Sequence, residues 1–355
     1  MSYKFNMKTQ SSNHRRTILE FIKSHPAVSS KEIHDEIADE VGYATVKRIL
    51  QKLITENLIS SNGNGRGTKY EISPVYNLLH FVDVDIYFKK EIDARKIKST
   101  YDQSLISKTL KDAQLFTNDE LNQLNDLQNQ FKANSSKLSK SEFQKELERL
   151  VIDLSWKSSQ IEGNTYSLLQ TERLLKEKET ASGKSKDEAV MLLNHKAALD
   201  FIIAHPTYVK PISISRIEDI HSMLIKDLGI DRNIRKRRVG ISGTNYKPLD
   251  NEFQIREALV EMSSLINKQQ NIFAKAILAL VLISYIQPFN DGNKRTARII
   301  CNAILINNMY CPMSFRTVDS VEYKMAMLIF YEQNNISVFK EIFINQFEFA
   351  VKTYF

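Results

Sequence analysis

The sequence is poor in cysteine and tryptophan, and it has few low-complexity stretches. Its 355 residues include two cysteines, Cys301 and Cys311, and a single tryptophan, Trp156. Two cysteines do not support a disulfide framework or a zinc site, and they fit a reducing compartment. Low-complexity character is limited to two short polar stretches, 134–139 and 180–186, which we interpret as loops.

Long apolar runs are also missing. No run approaches the roughly 20 apolar residues that a membrane-spanning helix needs. The first ten residues are polar and lack the apolar core of a signal peptide. We therefore expect a cytoplasmic protein with no membrane partner.

What the sequence does contain is an ordinary globular balance of 42% hydrophobic and 26% charged residues. The chain is long enough for about two or three domains. A net charge of +7 is compatible with binding nucleotides or nucleic acid but demonstrates neither. His195, His205 and His221 are scattered without metal-ligand spacing, and we expect His195 to be a structural residue of a helix.

Residues 287–298, Gln-Pro-Phe-Asn-Asp-Gly-Asn-Lys-Arg-Thr-Ala-Arg, carry the strongest chemical signal. They lie between the apolar stretches 272–286 and 299–306, and their Pro, Gly, Asn and Asp residues predict a loop that enters a helix. The free N–H groups and the positive dipole end of such a helix attract phosphate. Because no Walker A loop or Rossmann glycine set occurs, a phosphate site depends on this loop.

Three charged side chains of this segment suit a nucleotide. The oxygens of Asp291 can hold a divalent cation. The guanidinium groups of Arg295 and Arg298 can bind phosphate oxygens.

The same segment resembles the core motif of the Fic family, His-x-Phe-x-Asp/Glu-Gly-Asn-Gly-Arg-x-x-Arg. It departs from the motif at two positions: Gln287 stands in place of the catalytic His, and Lys294 in place of the second Gly. The resemblance implies AMP transfer from ATP to a Ser, Thr or Tyr hydroxyl of a protein target, with ATP and Mg²⁺ as cofactors. It assigns Asp291 to the metal, Gln287 to the catalytic position, and Asn290, Gly292, Asn293, Lys294, Arg295 and Arg298 to the nucleotide.

The two departures leave the chemistry open. An amide oxygen is a very weak base, and losing a general base typically costs about 10²–10⁴ in rate. Lys at position 294 is also found in the related Doc toxins, which transfer a terminal phosphate. Three hypotheses remain: weak or altered AMP transfer, a catalytically inactive nucleotide-sensing and DNA-binding transcriptional regulator, or an active enzyme in which Gln287 is an introduced change.

A second signal lies upstream, where a predicted helix stops at Gly163. Glu162 places an acid at a helix end that favours a base, which indicates a partner elsewhere, and the motif arginines are candidates. Ser158, Glu162 and Gly163 are similar to the family's inhibitory motif, Ser/Thr-x-x-x-Glu-Gly/Asn. The resemblance implies an inhibitory helix near 150–164 whose Glu162 pairs with Arg298 and blocks the γ-phosphate position.

A third signal is the segment 238–248, in which glycines, Asn and Pro punctuate a β-like run and predict a hairpin. It lies where the family has its flap, a hairpin that binds the target by strand addition. The predicted flap residues are Gly240, Ile241, Ser242, Gly243 and Thr244. Five of the seven residues 232–238 are basic. Two interpretations stay open: the segment steers an acidic target or nucleic acid, or it is a solvated charged loop.

The N-terminal 73 residues predict three helices followed by a hairpin. The helices are expected near 16–24, 29–40 and 44–56, with a capping box from Ser29 to Glu32, and the hairpin turns at 62–65. This pattern resembles a winged helix-turn-helix, in which the third helix enters the major groove. The candidate DNA contacts are Lys47, Arg48, Gln51, Lys52, Arg66 and Lys69, and a packing or interaction role stays open beside DNA binding.

The predicted architecture is therefore mainly α: a helical Fic domain with a short β-hairpin flap, preceded by a small winged-helix α+β domain. The predicted boundaries are 1–73 for the winged helix, 74–110 for a connector and 111–355 for the Fic domain. We expect residues 75–88 of the connector to form a strand. We also expect the chain to form a homodimer.

Overall fold

The computed structural model describes residues 11–37, 41–111 and 113–355, which divide into two compact units. The first unit contains the described residues up to His80 together with 113–119, and the second contains 81–111 and 120–355. The domain boundaries predicted at 73 and 110 stay predictions.

The first unit combines helices with a small antiparallel sheet. Its elements are α1 (Ser11–Ser24), β1 (Val28–Ser29), α2 (Ser30–Glu36), α3 (Tyr43–Thr55), β2 (Ile59–Asn62), β3 (Lys69–Ile72) and α4 (Tyr76–Leu79). The strand order is β1-β3-β2, with Tyr70 opposite Val28 on one side and Ser61 on the other. This is the winged-helix arrangement that the sequence predicts.

Local sequence explains these elements. Ser29 accepts a hydrogen bond from the Glu32 N–H at 3.2 Å, and the Glu32 carboxylate accepts one from the Ser29 N–H at 2.6 Å, so the predicted capping box starts α2. Hydrogen bonds from the Ser29 hydroxyl, the Ser29 N–H and Lys69 to its carboxylate lower the pKa of Glu32 to about 2. The predicted continuation of α2 to residue 40 is wrong, because α2 ends at Glu36; residues 38–40 lie outside the described structure. The apolar faces of α1 and α3 form the core with β3, as the helical spacing predicts.

The strand predicted over residues 75–88 is wrong. The chain forms α4 there and then, in the second unit, α5 (Val84–Phe88). The Asp83 carboxylate accepts a hydrogen bond from the Ile86 N–H at 2.9 Å and caps α5. Hydrogen bonds within each short helix therefore satisfy the backbone that a strand would have paired with a neighbour.

Further along the chain the structure is helical. The helices are α6 (Asn118–Ser135), α7 (Lys140–Ile161), α8 (Leu168–Glu177), α9 (Lys186–Ala204), α10 (Ile214–Leu224), α11 (Glu252–Lys268), α12 (Ile272–Ile286), α13 (Asn293–Asn307), α14 (Ser320–Gln333) and α15 (Ser337–Tyr354). Serine residues begin several of them, and Ser139, Ser167 and Ser185 each form a complete capping box.

The buried helix α12 organises the second unit. Its residues from Ile277 to Ile286 are all buried, and it packs against α11, α13 and α14. Helix α13 in turn packs against α7, α9 and α10. The loop between α12 and α13 is therefore fixed at both ends by the core, which gives a rigid support for the side chains that it carries. None of the described helices is long and apolar enough to cross a membrane.

Candidate functional site

The motif loop, residues 287–292, is shaped by the first residue of α13. The Asn293 carboxamide accepts a hydrogen bond from the Phe289 N–H at 2.8 Å and donates one to the Phe289 carbonyl, also at 2.8 Å. Gly292 precedes α13 with φ at +81°, a left-handed conformation that a glycine adopts at little cost. Contacts only a few residues apart therefore define part of the shape of the loop.

Gln287 is a hydrogen-bonded part of this loop. It ends α12 with φ at +51°, and its Nε2 donates to the Ser284 carbonyl at 2.6 Å. Its Oε1 accepts a hydrogen bond from Asn293 Nδ2 at 3.0 Å. Both ends of the amide are thus engaged, and the side chain stabilises the loop without offering a base.

His221 of α10 packs against the motif loop. Its ring stacks on Phe289 at 3.6 Å between centroids, and its Nε2 lies 2.9 Å from the Asp291 carbonyl. Burial lowers the pKa of His221 to about 4, so the ring is neutral at pH 7. A neutral imidazole carries one N–H. We assign it to Nε2, which donates to the Asp291 carbonyl, because the contact of Nδ1 with the Arg232 carbonyl is longer, at 3.2 Å. An apolar helix face was the only sequence signal for this role of His221.

A cluster of cations follows the loop on the first turns of α13. The side chains of Arg295 and Arg298 are 1% and 0% exposed, while Lys294 is partly exposed. Within the described structure, Nε and Nη1 of Arg295 and Nη1 of Arg298 have no hydrogen-bond partner. Buried donors are nearly always paired, so these nitrogens at a helix N-terminus indicate a site for an anion.

Glu162, the residue that follows α7, neutralises part of this cluster. One of its carboxylate oxygens lies 2.8 Å from Arg298 Nη2, and the other lies 3.2 Å from Lys294 Nζ. Burial alone would raise the pKa of Glu162, but the charges of Arg298 and Lys294 outweigh it and leave the pKa below its ordinary value. The sequence predicts the pairing with Arg298 and misses the one with Lys294.

Ser158 and Gly163 complete this contact. Ser158 accepts two hydrogen bonds from Arg298, at 2.8 Å on its hydroxyl and 2.9 Å on its carbonyl. Gly163 has φ at +97° and turns the chain directly after the helix. Two residues of the predicted inhibitory motif, Ser158 and Glu162, therefore contact Arg298, while Gly163 shapes the turn behind them. The regulatory role of the motif stays a prediction.

Asp291 is the candidate metal ligand. Its side chain is 62% exposed, one oxygen accepts the Gly292 N–H at 2.5 Å, and the other lies 3.2 Å from Arg295. No cluster of three or more His, Cys, Asp or Glu residues suited to a metal occurs in the described ranges. A lone exposed carboxylate fits Mg²⁺, which usually takes one or two protein carboxylates together with substrate phosphates. Asn290 beside it is exposed on the same loop.

The hairpin predicted over the flap segment, residues 238–248, is wrong. The segment is irregular, with a turn at Ser242–Gly243 and an isolated parallel bridge between Lys247 and Thr100. Its backbone forms hydrogen bonds with residues of the connector where a hairpin would pair its two strands. For example, the Gly243 carbonyl accepts a hydrogen bond from Arg95 at 2.9 Å. The predicted flap residues, Gly240, Ile241, Ser242, Gly243 and Thr244, therefore lie on a loop.

Arg235 differs from the other residues of the basic run 232–238. It is 1% exposed, its N–H donates to the Pro288 carbonyl at 3.0 Å, and its Nε donates to the Gln287 carbonyl at 2.6 Å. It is a structural residue of the motif loop, whereas Arg232, Lys236, Arg237 and Arg238 are exposed. A run of five basic residues gives no sign of which one is buried.

The candidate DNA contacts in the first unit are mostly exposed on α3. Lys47, Arg48 and Lys52 share its solvent face, and Lys47 lies 5.7 Å from the ring centroid of Tyr43. The side chain of Arg66 lies outside the described part of the structure. Lys69 pairs with Glu32 at 3.0 Å.

Comparisons with known proteins address both units. The model of the Fic/DOC family matches residues 211–305, and the model of the penicillinase repressor family matches residues 11–130. Protein adenylyltransferase Fic of Aedes aegypti is 33% identical over 161 residues, or 43% of this chain and 32% of that protein. Protein adenylyltransferase fic-1 of Caenorhabditis elegans is 27% identical over 173 residues, or 47% and 34%. The matches span about a third of the length of these relatives.

Solved structures show the same fold. Fic-1 of Caenorhabditis elegans superposes with a TM-score of 0.57 and 22% identity, over 66% of this chain and 72% of that one. A Fic domain containing signaling protein of Bacteroides thetaiotaomicron gives a TM-score of 0.55 and 19% identity, over 65% and 96%. The chain therefore carries a helical domain of the Fic/DOC family, preceded by a winged-helix domain of the penicillinase repressor family.

Proposed function

We propose that the Fic/DOC domain binds ATP with Mg²⁺ at the N-terminus of α13 and transfers AMP slowly to a hydroxyl of a protein target. The observation that carries the proposal is the pair of buried arginines on the first two turns of α13, Arg295 and Arg298. Three of their nitrogens have no hydrogen-bond partner among the described residues, and no side chain caps the start of the helix. The relatives named protein adenylyltransferases support the same reaction class.

Each site residue has a separate role in binding the nucleotide. Asn293 keeps the loop in shape, and the first-turn N–H groups of α13 bind phosphate oxygens. Arg295 and Arg298 neutralise the phosphate charge, and Lys294 adds a third cation. Asp291 would hold Mg²⁺, which would neutralise part of the phosphate charge.

The chemical step explains why transfer is slow. The target hydroxyl attacks the α-phosphate, a P–O bond to the target forms, and pyrophosphate leaves. The hydroxyl proton needs an acceptor, but the Gln287 amide is engaged with Ser284 and Asn293 and is a very weak base. The rate is therefore expected to fall by about 10²–10⁴ relative to an enzyme with a general base.

Glu162 competes with the nucleotide for the same cations. Its carboxylate occupies Arg298 and Lys294, so phosphate oxygens gain these partners only when Glu162 leaves. Calorimetry with ATP–Mg²⁺ tests this competition on the chain, on Glu162→Gly and on Glu179→Gly, an exposed loop control. We expect Glu162→Gly to bind at least about tenfold more tightly than the other two. If neither the chain nor Glu162→Gly binds ATP, the proposed nucleotide site is wrong.

The group transferred is tested with ATP labelled in the α- or the γ-phosphate and a mixture of cell proteins as acceptors. Glu162→Gly/Gln287→His is expected to incorporate the α-label about 10²–10⁴ times faster than Glu162→Gly alone. Incorporation of the γ-label would instead assign transfer of a terminal phosphate. No incorporation of either label would leave a nucleotide-binding domain without transferase activity.

A second candidate function, a nucleotide-sensing regulator that binds DNA, is favoured by the exposed basic face of α3 and the penicillinase repressor match. Gel shifts with random duplex DNA over a salt series test it. Lys47→Ala/Arg48→Ala/Lys52→Ala should weaken binding and reduce the salt slope by about 0.9 for each phosphate contact removed. Lys89→Ala, an exposed position in the second unit, is the control. A gel shift whose extent does not change with salt concentration would contradict DNA binding by α3. Light scattering on the same samples tests the expected homodimer.

A further inference from the structure

Residues 93–101, here called the connector segment, lie along the flap segment. The Lys247 N–H donates to the Ser99 carbonyl at 2.9 Å, and Lys247 forms a parallel bridge with Thr100. A backbone N–H makes one good hydrogen bond, so this position of the flap segment is already paired as if with an added strand.

Side chains extend the contact on both sides of the bridge. Asn245 donates to the Asp93 carboxylate at 2.8 Å, and Arg95 donates to the Gly243 carbonyl at 2.9 Å. Arg95 is itself fixed by the buried Glu332 of α14 at 3.1 Å. The connector segment therefore has one firmly buried residue, Arg95, and several exposed contacts.

Aromatic stacking places this pairing beside the motif loop. Tyr101 of the connector segment and Tyr246 of the flap segment both stack on Tyr285, each at 5.0 Å between centroids. Tyr285 lies on the last turn of α12, two residues before Gln287. The three rings join the connector segment, the flap segment and the end of α12.

We propose that the connector segment is an internal occupant of the flap segment and that an extended segment of a protein target has to displace it to pair there. The inference rests on the proposed function, because a domain that modifies protein hydroxyls needs a place for an extended polypeptide. Ser99 and Thr100 are exposed and carry hydroxyls, so the occupant has the chemistry of such a target.

The hydrogen bonds of the occupant can be replaced at a small cost, whereas the half-buried Tyr101 ring has to leave its stack on Tyr285. Asp93, Ser99, Thr100 and Asn245 are all exposed, and exposed hydrogen bonds contribute little to stability because water replaces them. Arg95 and Glu332 stay buried when residues 99–101 move away, so the displaced segment remains tethered.

Hydrogen exchange of the full chain tests the occupancy directly. The Lys247 amide should exchange slowly in the chain and in Lys90→Ala, an exposed control on the same connector. In Asp93→Ala/Tyr101→Ala, which loses one hydrogen bond and one stacked ring, its exchange should be about tenfold faster. Asn245→Ala changes a single exposed residue and should speed the exchange of the Lys247 amide by about threefold. It keeps the test valid if the double variant fails to fold. Fast exchange of Lys247 in the unchanged chain would overturn the proposal.

Binding of reduced, carboxymethylated α-lactalbumin, a permanently unfolded polypeptide, tests the competition without ATP. The double variant should bind it about tenfold more tightly than Lys90→Ala, because a larger fraction of the flap segment is free. Equal affinities would refute displacement. Since neither measurement contains nucleotide, a failure of the proposed AMP transfer leaves both results interpretable.

Discussion

The motif loop and the flap segment are both irregular, but local hydrogen bonds shape much of the motif loop, whereas the flap segment is paired with a distant part of the chain. Asn293 shapes the motif loop through bonds to Phe289 and Gln287, at most six positions away. The flap segment depends on residues about 150 positions earlier, such as Asp93, whose bond to Asn245 spans 152 positions.

This difference separates a rigid part of the site from a replaceable one. Phe289 of the motif loop stacks on His221, and Asn293 bonds the loop's own backbone, so the shape of the loop is set before any ligand binds. The flap segment uses exposed hydrogen bonds that another polypeptide can supply. The proposed function needs one surface of each kind, a fixed one for the nucleotide and a replaceable one for a variable protein target.

The largest effect is expected from Asn293→Ala. It leaves the Phe289 N–H, the Phe289 carbonyl and Gln287 Oε1 without partners in a buried loop, which should destabilise the chain by about 4 kcal/mol. Urea denaturation measures the loss. Asn290→Ala, an exposed position on the same loop, should change stability by less than about 0.5 kcal/mol. Similar losses for the two variants would show that the loop is not shaped by Asn293.

A pH dependence follows from His221. Its folded-state pKa of about 4 lies below the ordinary value of 6.5, so the unfolded chain binds more protons between these values. The stability from the neutral ring is complete above pH 6.5 and is lost as the pH falls to 4, by about 3 kcal/mol. His221→Gln should lose less stability over that window, whereas the exposed His205→Gln should follow the unchanged chain. Parallel curves for all three would contradict a buried neutral His221.

The sequence predicted what depends on neighbouring residues. The capping box at Ser29, the turn into α13 and the buried face of α3 follow from residue type and spacing within a few positions. The approach of Glu162 to Arg298 was predictable too, because an acid at a helix C-terminus needs a cation from elsewhere and the family motif named one.

The sequence failed where the partner is distant and no local pattern records it. The flap segment has the punctuation of a hairpin, but Arg95 and Ser99 satisfy its backbone. Arg235 is indistinguishable from its basic neighbours, although it alone of them is buried under the motif loop. Residues 75–88 have strand-like composition, and local capping by Asp83 makes part of them helical.

A smaller effect is expected from Lys294→Met, which keeps the apolar stem and removes the charge. Its partner Glu162 is 18% exposed and keeps Arg298, so the loss should be about 1 kcal/mol. Lys236→Met is the control, because Lys236 is 77% exposed and lies 3.8 Å from Glu252, and it should cost less than about 0.5 kcal/mol. Urea denaturation at low and high salt would compare them, and an equal cost would show that Lys294 contributes no more than a surface pair.

The smallest effect is expected from Asn245→Ala, the flap counterpart of Asn293→Ala. The residue type and the substitution are the same, but the hydrogen bond of Asn245 to Asp93 is exposed, so water replaces it and the loss should be about 0.5 kcal/mol. The ratio of the two losses, measured by urea denaturation under one set of conditions, isolates the effect of burial from that of the side chain. A loss above about 2 kcal/mol for Asn245→Ala would mean that the flap segment is as firmly integrated as the motif loop. A polypeptide target could not then displace the connector segment at small cost.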